Sequence, residues 1–285
     1  MKYAFIRNMK TRFNVKQLCG VLKVSTSGYY DWLDRPLSRR DKDNQRLTLK
    51  LHCFHKATNQ IYGSPKLHKD LLDDGETVGI KRVESLMRKA GIKAKITKKF
   101  VIAKNAKHSH QVAPDLLKRE FNVRQRNTVW VTDTTFIATR KGWLYLATVL
   151  DLYSRKIIGW SMGSRNNRNL VCNALIMALW RRKHPKGVLV HSDQGSTYAS
   201  NDYQQLLRKK HLICSMSRRG NCWDNAVAES FYGSLKTEWT NWEDYKNREE
   251  AKKSVFEYIE LFYNRKRRHS HLGYVSPDEF EENVS

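Results

Sequence analysis

At about Asn127 the hydrophobic pattern of the chain changes character, and that change limits the available folds more than any other feature. Thr128 to Thr139 is a β-branched run, Lys141-Gly142 is a turn signal, and Trp143 to Leu152 and Lys156 to Ser161 read as two further strands. Three successive strands make a meander. Asn169 to Lys183 then carries a helical apolar stripe, Gly187 to His191 is a short buried strand, Asn201 to Lys210 a helix, Leu212 to Ser217 a strand, and Asn225 to Trp239 a helix. The order is β-β-β-α-β-α-β-α.

A meander followed by alternating strands and helices predicts an α/β unit, a mixed sheet with helices on its faces. This is the topology of the ribonuclease H-like fold. A final helix from about Glu249 to Asn264 carries Val255, Tyr258, Ile259 and Phe262 on one stripe, followed by Arg265, Lys266, Arg267 and Arg268 and the turn-like Ser276-Pro277.

Small all-helical units precede the sheet. Val15, Leu18, Cys19 and Leu22 recur at helical spacing, and Ser25 is placed to cap a second short helix from Thr26 to Leu33, which suggests a helix-turn-helix. In the next unit a helix runs through Leu47, Leu49, Leu51 and Phe54. Ser64 is expected to cap a helix that Pro65 starts and Gly75 ends, and Val78 to Ala90 forms another with Val83, Leu86 and Met87 inward. The expected division is a helix-turn-helix-like segment at 1–40, a second helical DNA-binding domain at 41–92, a basic linker at 93–126, a catalytic core at 127–240, and a C-terminal helix with a basic tail at 241–285.

The charge explains why DNA enters this reading. Fifty-three Lys+Arg against 28 Asp+Glu give a net charge of +25, and the excess is concentrated in front: 29 basic against 11 acidic residues up to position 127, but 24 against 17 after it. Basic surfaces bind nucleic acid by neutralising phosphates and releasing counterions. A basic amphipathic helix or lipidation signal for a membrane surface is absent, as is any apolar run of about 18 residues. A cytoplasmic, nucleoid-associated protein is expected. The five cysteines are widely spread without a C-x-x-C pair, and His52, Cys53, His55 and His68 lack a second cysteine, so neither disulfides nor zinc is expected. On the Val78–Ala90 helix, Lys81 and Arg82 stand at one end and Arg88 and Lys89 at the other, the distribution expected of a helix laid along phosphates. Lys98 and Lys99 belong to the densest basic segment.

Cutting or transferring a phosphodiester requires an activated oxygen nucleophile and a stabilised leaving oxygen. Two Mg²⁺ ions about 4 Å apart supply both, and they ask for carboxylate ligands. Three acids fit. Asp133 lies in the first strand, in Trp130-Val131-Thr132-Asp133-Thr134-Thr135; Asp193 stands just beyond the fourth, in His191-Ser192-Asp193-Gln194-Gly195; Glu229 lies on the helix after the fifth. Thirty-five residues separate Asp193 from Glu229.

These words, with Gly142 to Ala147, Asp151 to Arg155, Ser217 to Ala226, Glu229-Ser230-Phe231, Tyr263-Asn264, Arg267, His269, Leu272-Gly273 and Ser276-Pro277, make the chain resemble the insertion-sequence-3 family of transposases (OrfB type), in the retroviral-integrase-like D,D-35-E superfamily. The resemblance is strong over 128–285 and looser in front, where Tyr62-Gly63-Ser64-Pro65 is its best mark. It implies a DNA recombinase using Mg²⁺, or Mn²⁺ as substitute, with Asp133, Asp193 and Glu229 as its catalytic, metal-holding triad. It further implies double-stranded transposon-end and target DNA as substrates, a homo-oligomer on DNA, joining of the two ends into a circle before integration, and an upstream-frame helix-turn-helix/leucine-zipper product, separate or fused by frameshift. Thr197 departs from the Gln that similar proteins often carry there, which touches only local substrate contacts.

Lys236, two turns after Glu229 on the same face, is placed to hold a DNA phosphate, and a similarly placed Lys occurs in the superfamily. Lys81, Arg82, Lys98, Lys99 and Arg267 are further candidates for DNA contact. Asp151 is read as a structural acid with Arg155 as its ion-pair partner, and His269 and His271 as DNA-facing or structural. The readings to be distinguished are a transposase, a ribonuclease H-like nuclease that only hydrolyses, and a DNA-binding regulator with an inert acidic site.

Overall fold

The computed structural model describes residues 1–95, 113–218 and 222–283. Its centre is one five-stranded sheet made of β1 (Val129–Ile137), β2 (Leu144–Asp151), β3 (Ile157–Gly163), β4 (Leu189–Ser192) and β5 (Ile213–Met216), in the order β3-β2-β1-β4-β5. The first three strands pair antiparallel as the expected meander, and β4 and β5 add parallel to β1.

β1 is the middle strand and is covered on both faces, which is why its sequence is nearly continuous in β-branched and aromatic residues. Val129, Val131 and Ile137 enter one apolar cluster while Trp130 enters the other. The second cluster is closed by helix α7 (Arg168–Arg181), whose Leu170, Val171, Ala174, Leu175, Ala178 and Leu179 are all buried. Gly159 on β3 permits this approach, because a Cβ there would stand 2.2 Å from the Ala174 carbonyl oxygen. Helix α8 (Asn201–Lys209) packs its Tyr203 and Leu207 into the same layer.

The opposite face is covered by α9 (Ala226–Glu238) and by α10 (Arg248–Phe256), which continues as a π-helical turn from Glu257 to Tyr263. Asn264, just after that turn, reproduces a strand partner: its Oδ1 accepts from the Ile157 N–H and its Nδ2 donates to the Ile157 carbonyl, both at 2.9 Å. The Tyr263 hydroxyl donates to the Arg155 carbonyl at 3.1 Å. The Tyr263-Asn264 word therefore fixes the last helix to the edge of the sheet. A short helix, α11 (Pro277–Glu282), follows with a complete capping box between Ser276 and Glu279.

The front of the chain forms two helical groups. Helices α1 (Lys2–Met9), α2 (Val15–Val21) and α3 (Thr26–Asp34) enclose Ile6, Cys19 and Tyr29, and Ser25 accepts from the Gly28 N–H at 3.0 Å as the expected cap. α1 lies ahead of the two helices legible in the sequence. Helices α4 (Arg39–Ala57), α5 (Ser64–Asp73) and α6 (Ile80–Ala90) form the second group. Gly63 is the cap residue of α5, with Ser64 already helical, so that start lies one position earlier than expected. His55 and His68 each bond a backbone carbonyl, of Lys93 at 3.1 Å and Val78 at 2.7 Å, which gives both structural partners.

The second helical group shares its core with the sheet. Leu47, Leu51, Tyr62, Leu67, Leu71, Val83, Leu86 and Met87 belong to the same cluster as Val131, Leu146, Phe231 and Tyr258. Polar contacts seal the seam: the Tyr62 hydroxyl donates to the Lys266 carbonyl at 3.0 Å and accepts from the Arg268 N–H at 2.8 Å, and Arg268 pairs with Asp70 at 2.6 Å and Asp73 at 2.7 Å.

Candidate active site

β1 and β4 bring two of the acids side by side. The last paired position between these strands is Val131 with His191, and Asp133 and Asp193 each lie two residues further on. Both therefore stand at the same level, at the carboxyl end of β4, where parallel strands leave room for a ligand. Asp133 is 3% exposed and its Oδ1 accepts from the Thr134 N–H at 2.7 Å. Asp193 is half-buried, and its Oδ1 accepts from the Gly195 N–H at 3.0 Å. A Cβ at position 195 would lie 2.9 Å from that oxygen, so glycine keeps the turn open for the carboxylate.

Glu229 is exposed on the first turn of α9. Two contacts set this helix against β1. Asn225 Nδ2 donates to the Thr132 carbonyl at 3.4 Å, and the Tyr232 hydroxyl donates to the Asp133 carbonyl at 2.5 Å. Glu229 comes four residues after the first anchor and three before the second, so it shares their helical face. Asp224, buried at the entry to α9, is clasped by Arg119 at 2.7 Å and Arg218 at 3.0 Å. Those guanidinium bonds, Arg218 first, hold its carboxyl well below the ordinary range.

The donor set is all carboxylate oxygen, which suits a hard divalent cation. Among the described residues no three His, Cys, Asp or Glu side chains are gathered closely enough to hold one ion. The acids flank one stretch of β1 without forming a finished cage. Burial first, and then the nearby Asp133 carboxylate, push the Tyr198 and Tyr232 hydroxyls well above the usual tyrosine range, and Asp193 adds to both in the same direction. Both hydroxyls thus sense both aspartates. Sequence reasoning passed over these tyrosines and Asn225, although Tyr198 follows the Asp193 word and Asn225 belongs to the Ser217–Ala226 word.

His191 is buried with Nδ1 2.9 Å from Ser215 Oγ, and burial pushes its ring pKa down. Lys236 rests its ammonium 4.9 Å from the centroid of the Phe136 ring, three residues past Asp133 on β1. Lys81 is exposed on α6, as are Arg88 and Lys89. Lys98 and Lys99 lie outside the described residues.

Two of the residues expected to contact DNA make pairs within the fold. Arg267 is 7% exposed and binds Glu238 through Nε at 2.7 Å and Nη2 at 2.5 Å, with Ser234 as a further acceptor, so its guanidinium is spent inside the fold. Arg82 donates to Asp43 at 2.8 Å and to Asn44 at 2.7 Å, tying α6 to α4. The partner expected for Asp151 also differs. Its carboxylate is fully buried, accepts from the Asn127 and Tyr153 N–H groups, and meets Arg182 at 3.3 Å, while the Arg155 guanidinium reaches the Phe121 carbonyl and His271. His269 lies against the Tyr263 hydroxyl at 3.1 Å; burial and the neighbouring Arg267 push its ring pKa down to about 3.

Residues 123–222 and 211–277 match the integrase core domain, and residues 42–100 match an HTH-like domain. Sheet order and these matches define an integrase-core enzyme, of the class that cleaves and transfers DNA strands. The chain is 42% identical over 287 aligned positions to the transposase InsF for insertion sequence IS3A of Escherichia coli (strain K12), covering 99% of this chain and 98% of that protein. It is also 42% identical over 265 positions to the insertion element IS600 uncharacterized 31 kDa protein of Shigella sonnei, covering 93% and 97%. The chain belongs to the IS3 family of transposases. Among solved structures, a chain of the simian T-cell lymphotropic virus intasome in complex with PP2A regulatory subunit B56 gamma aligns at 14% identity and TM-score 0.47, covering 81% of this chain and 73% of that one. The HTLV-2 integrase catalytic core domain in complex with magnesium aligns at 16% identity and TM-score 0.41, covering 54% and 96%.

Proposed function

We propose that Asp133, Asp193 and Glu229 are the catalytic acids of this transposase and together hold two Mg²⁺ ions, with Mn²⁺ as a substitute. The observation that carries the reading is that Asp133 on β1 and Asp193 just past the end of the adjacent parallel β4 each lie two residues beyond the Val131–His191 pair, with α9 anchored to β1 on either side of Glu229. Held by Asp133, Asp193 and Glu229, such ions would supply Lewis acidity toward the attacking and leaving oxygens. The chain's own part is to orient the phosphodiester and the incoming hydroxyl. Lys236 sits beyond the acids on α9 to neutralise a phosphate, its ammonium held 4.9 Å from the Phe136 ring centroid.

The helical units supply further phosphate contacts through exposed cations such as Lys81, Arg88 and Lys89. The acting species is a homo-oligomer on transposon-end DNA, residing with the nucleoid, and an upstream-frame product supplies additional end recognition. No helix among the described residues is long and apolar enough to cross a membrane.

The test is cleavage and strand transfer on end DNA with Mg²⁺, Mn²⁺, Ca²⁺ or a chelator. Mg²⁺ and Mn²⁺ should support both steps, and Ca²⁺ should support binding alone, because it takes oxygen ligands in looser geometry. Full activity in chelator would overturn the proposal. Hydrolysis without any transfer of pre-cut ends would mark a nuclease.

A further inference from the structure

Two buried hydroxyls beside the acids have no part in the chemistry above, yet both are bonded to β1. Tyr198, five residues after Asp193, is 1% exposed, and its hydroxyl lies 3.1 Å from Thr132 Oγ1. Tyr232, one turn after Glu229 on α9, is 6% exposed; its hydroxyl donates to the Asp133 carbonyl and lies 2.8 Å from Thr148 Oγ1 on β2. A hydroxyl has one proton, so Tyr232 accepts from Thr148 while it donates to Asp133. The segment bearing Asp193 and the helix bearing Glu229 are thus fastened to β1 at consecutive residues, 132 and 133.

A phenylalanine would fill almost the same volume, and a buried hydroxyl is costly unless it is bonded. The bonds made here join the carriers of all three acids. We propose that Tyr198 and Tyr232 are positioning residues that set the spacing of the acids around Asp133 and thereby the affinity of the site for divalent cations. Outer groups that orient ligands act on metal affinity in this way. The inference rests on the reading of Asp133, Asp193 and Glu229 as metal-holding acids.

The experiment uses the full chain with Tyr198→Phe, Tyr232→Phe, the double variant, and Thr132→Val, which removes the Tyr198 bond from its other end. Mn²⁺ binding is read by the loss of the free-ion paramagnetic resonance signal, alongside the Mg²⁺ dependence of strand transfer, end-DNA binding and Tm. Half-saturation by Mn²⁺ should rise about tenfold in the double variant. DNA binding should hold, and strand transfer should recover at saturating metal. Should Tyr198→Phe fail to fold, Thr132→Val carries the same expectation, and should the double variant fail to fold, each folded single variant should still raise half-saturation several-fold. A lowered Tm with half-saturation within about twofold of the parent in every folded variant, while Glu229→Gln loses Mn²⁺ binding, would overturn the positioning role. If Glu229→Gln keeps both Mn²⁺ binding and transfer, it is the assignment of the acids that fails.

Discussion

Asp133 on β1 and Asp193, one residue past the end of the adjacent parallel β4, each lie two residues beyond the Val131–His191 pair. Their separation in sequence is erased by a crossover connection through α7, and this level placement is what a shared cation site requires.

Asp151 offers the control. It is a third aspartate on the same sheet, but its partners are Arg182 and two backbone N–H groups. Asp151→Asn should lower stability by about 3 kcal/mol, the scale for breaking a buried pair, while the folded fraction keeps its strand-transfer rate. Thermal melts and transfer assays on one preparation check this, and a dead but fully stable variant would mean the acids are misassigned.

Arg267 should behave as a core residue. Arg267→Met leaves the largely enclosed Glu238 without its main partner, so a loss of about 3 kcal/mol is expected, with end-DNA affinity of the folded protein unchanged. Charge reversal of exposed Lys81, Arg88 and Lys89 should do the opposite, weakening binding to all sequences and flattening the slope of log affinity against log salt by about 0.9 for each phosphate no longer neutralised. Denaturant titration and binding isotherms at several salt concentrations separate the two behaviours.

Much of this was legible in the sequence, and the exceptions share one cause. Strand order followed from β-branched runs and turn residues, because a sheet's period and its crossover rules act locally along the chain. The proposed acids were picked out by the words around them, and the fold places Asp133 and Asp193 on adjacent elements. Arg267, Arg82 and the partner of Asp151 did not, since a guanidinium in a basic run reads the same whether it faces water or a carboxylate 29 residues away, as Glu238 is from Arg267. Nor could periodicity show that Tyr62 and Arg268 would close a seam between helical unit and sheet. Side-chain hydroxyls such as Tyr198 and Tyr232 look like ordinary core residues until the strand opposite them is known.

His269 predicts a pH dependence. Its folded pKa, near 3, lies below the unfolded value near 6.5, so the unfolded chain binds more protons between those values and stability rises with pH across that window. The slope is at most about 1.4 kcal/mol per pH unit and flattens above 6.5, where the neutral ring's stabilisation is fully present. His269→Asn should flatten the fall in Tm between pH 6.5 and 5; an unchanged slope would contradict the buried neutral ring.

Gly159 tests the packing of the helix over the sheet. Gly159→Ala places a Cβ 2.2 Å from the Ala174 carbonyl oxygen and 2.7 Å from the Ala178 nitrogen, both backbone atoms that yield only if α7 moves. A loss of about 3 kcal/mol, the upper range for overpacking, is expected in denaturant unfolding. A neutral substitution would show that α7 sits further from β3.

The most direct measurement is strand transfer of a pre-cut transposon end into target DNA by the full chain carrying Asp133→Asn, Asp193→Asn or Glu229→Gln, with end-DNA binding measured on the same samples. Each change removes one ligand charge and leaves the volume of the side chain, so all three should abolish transfer while binding stays within a few-fold of the parent. Transfer at the parental rate in any one of them would contradict the assignment of that acid to the site.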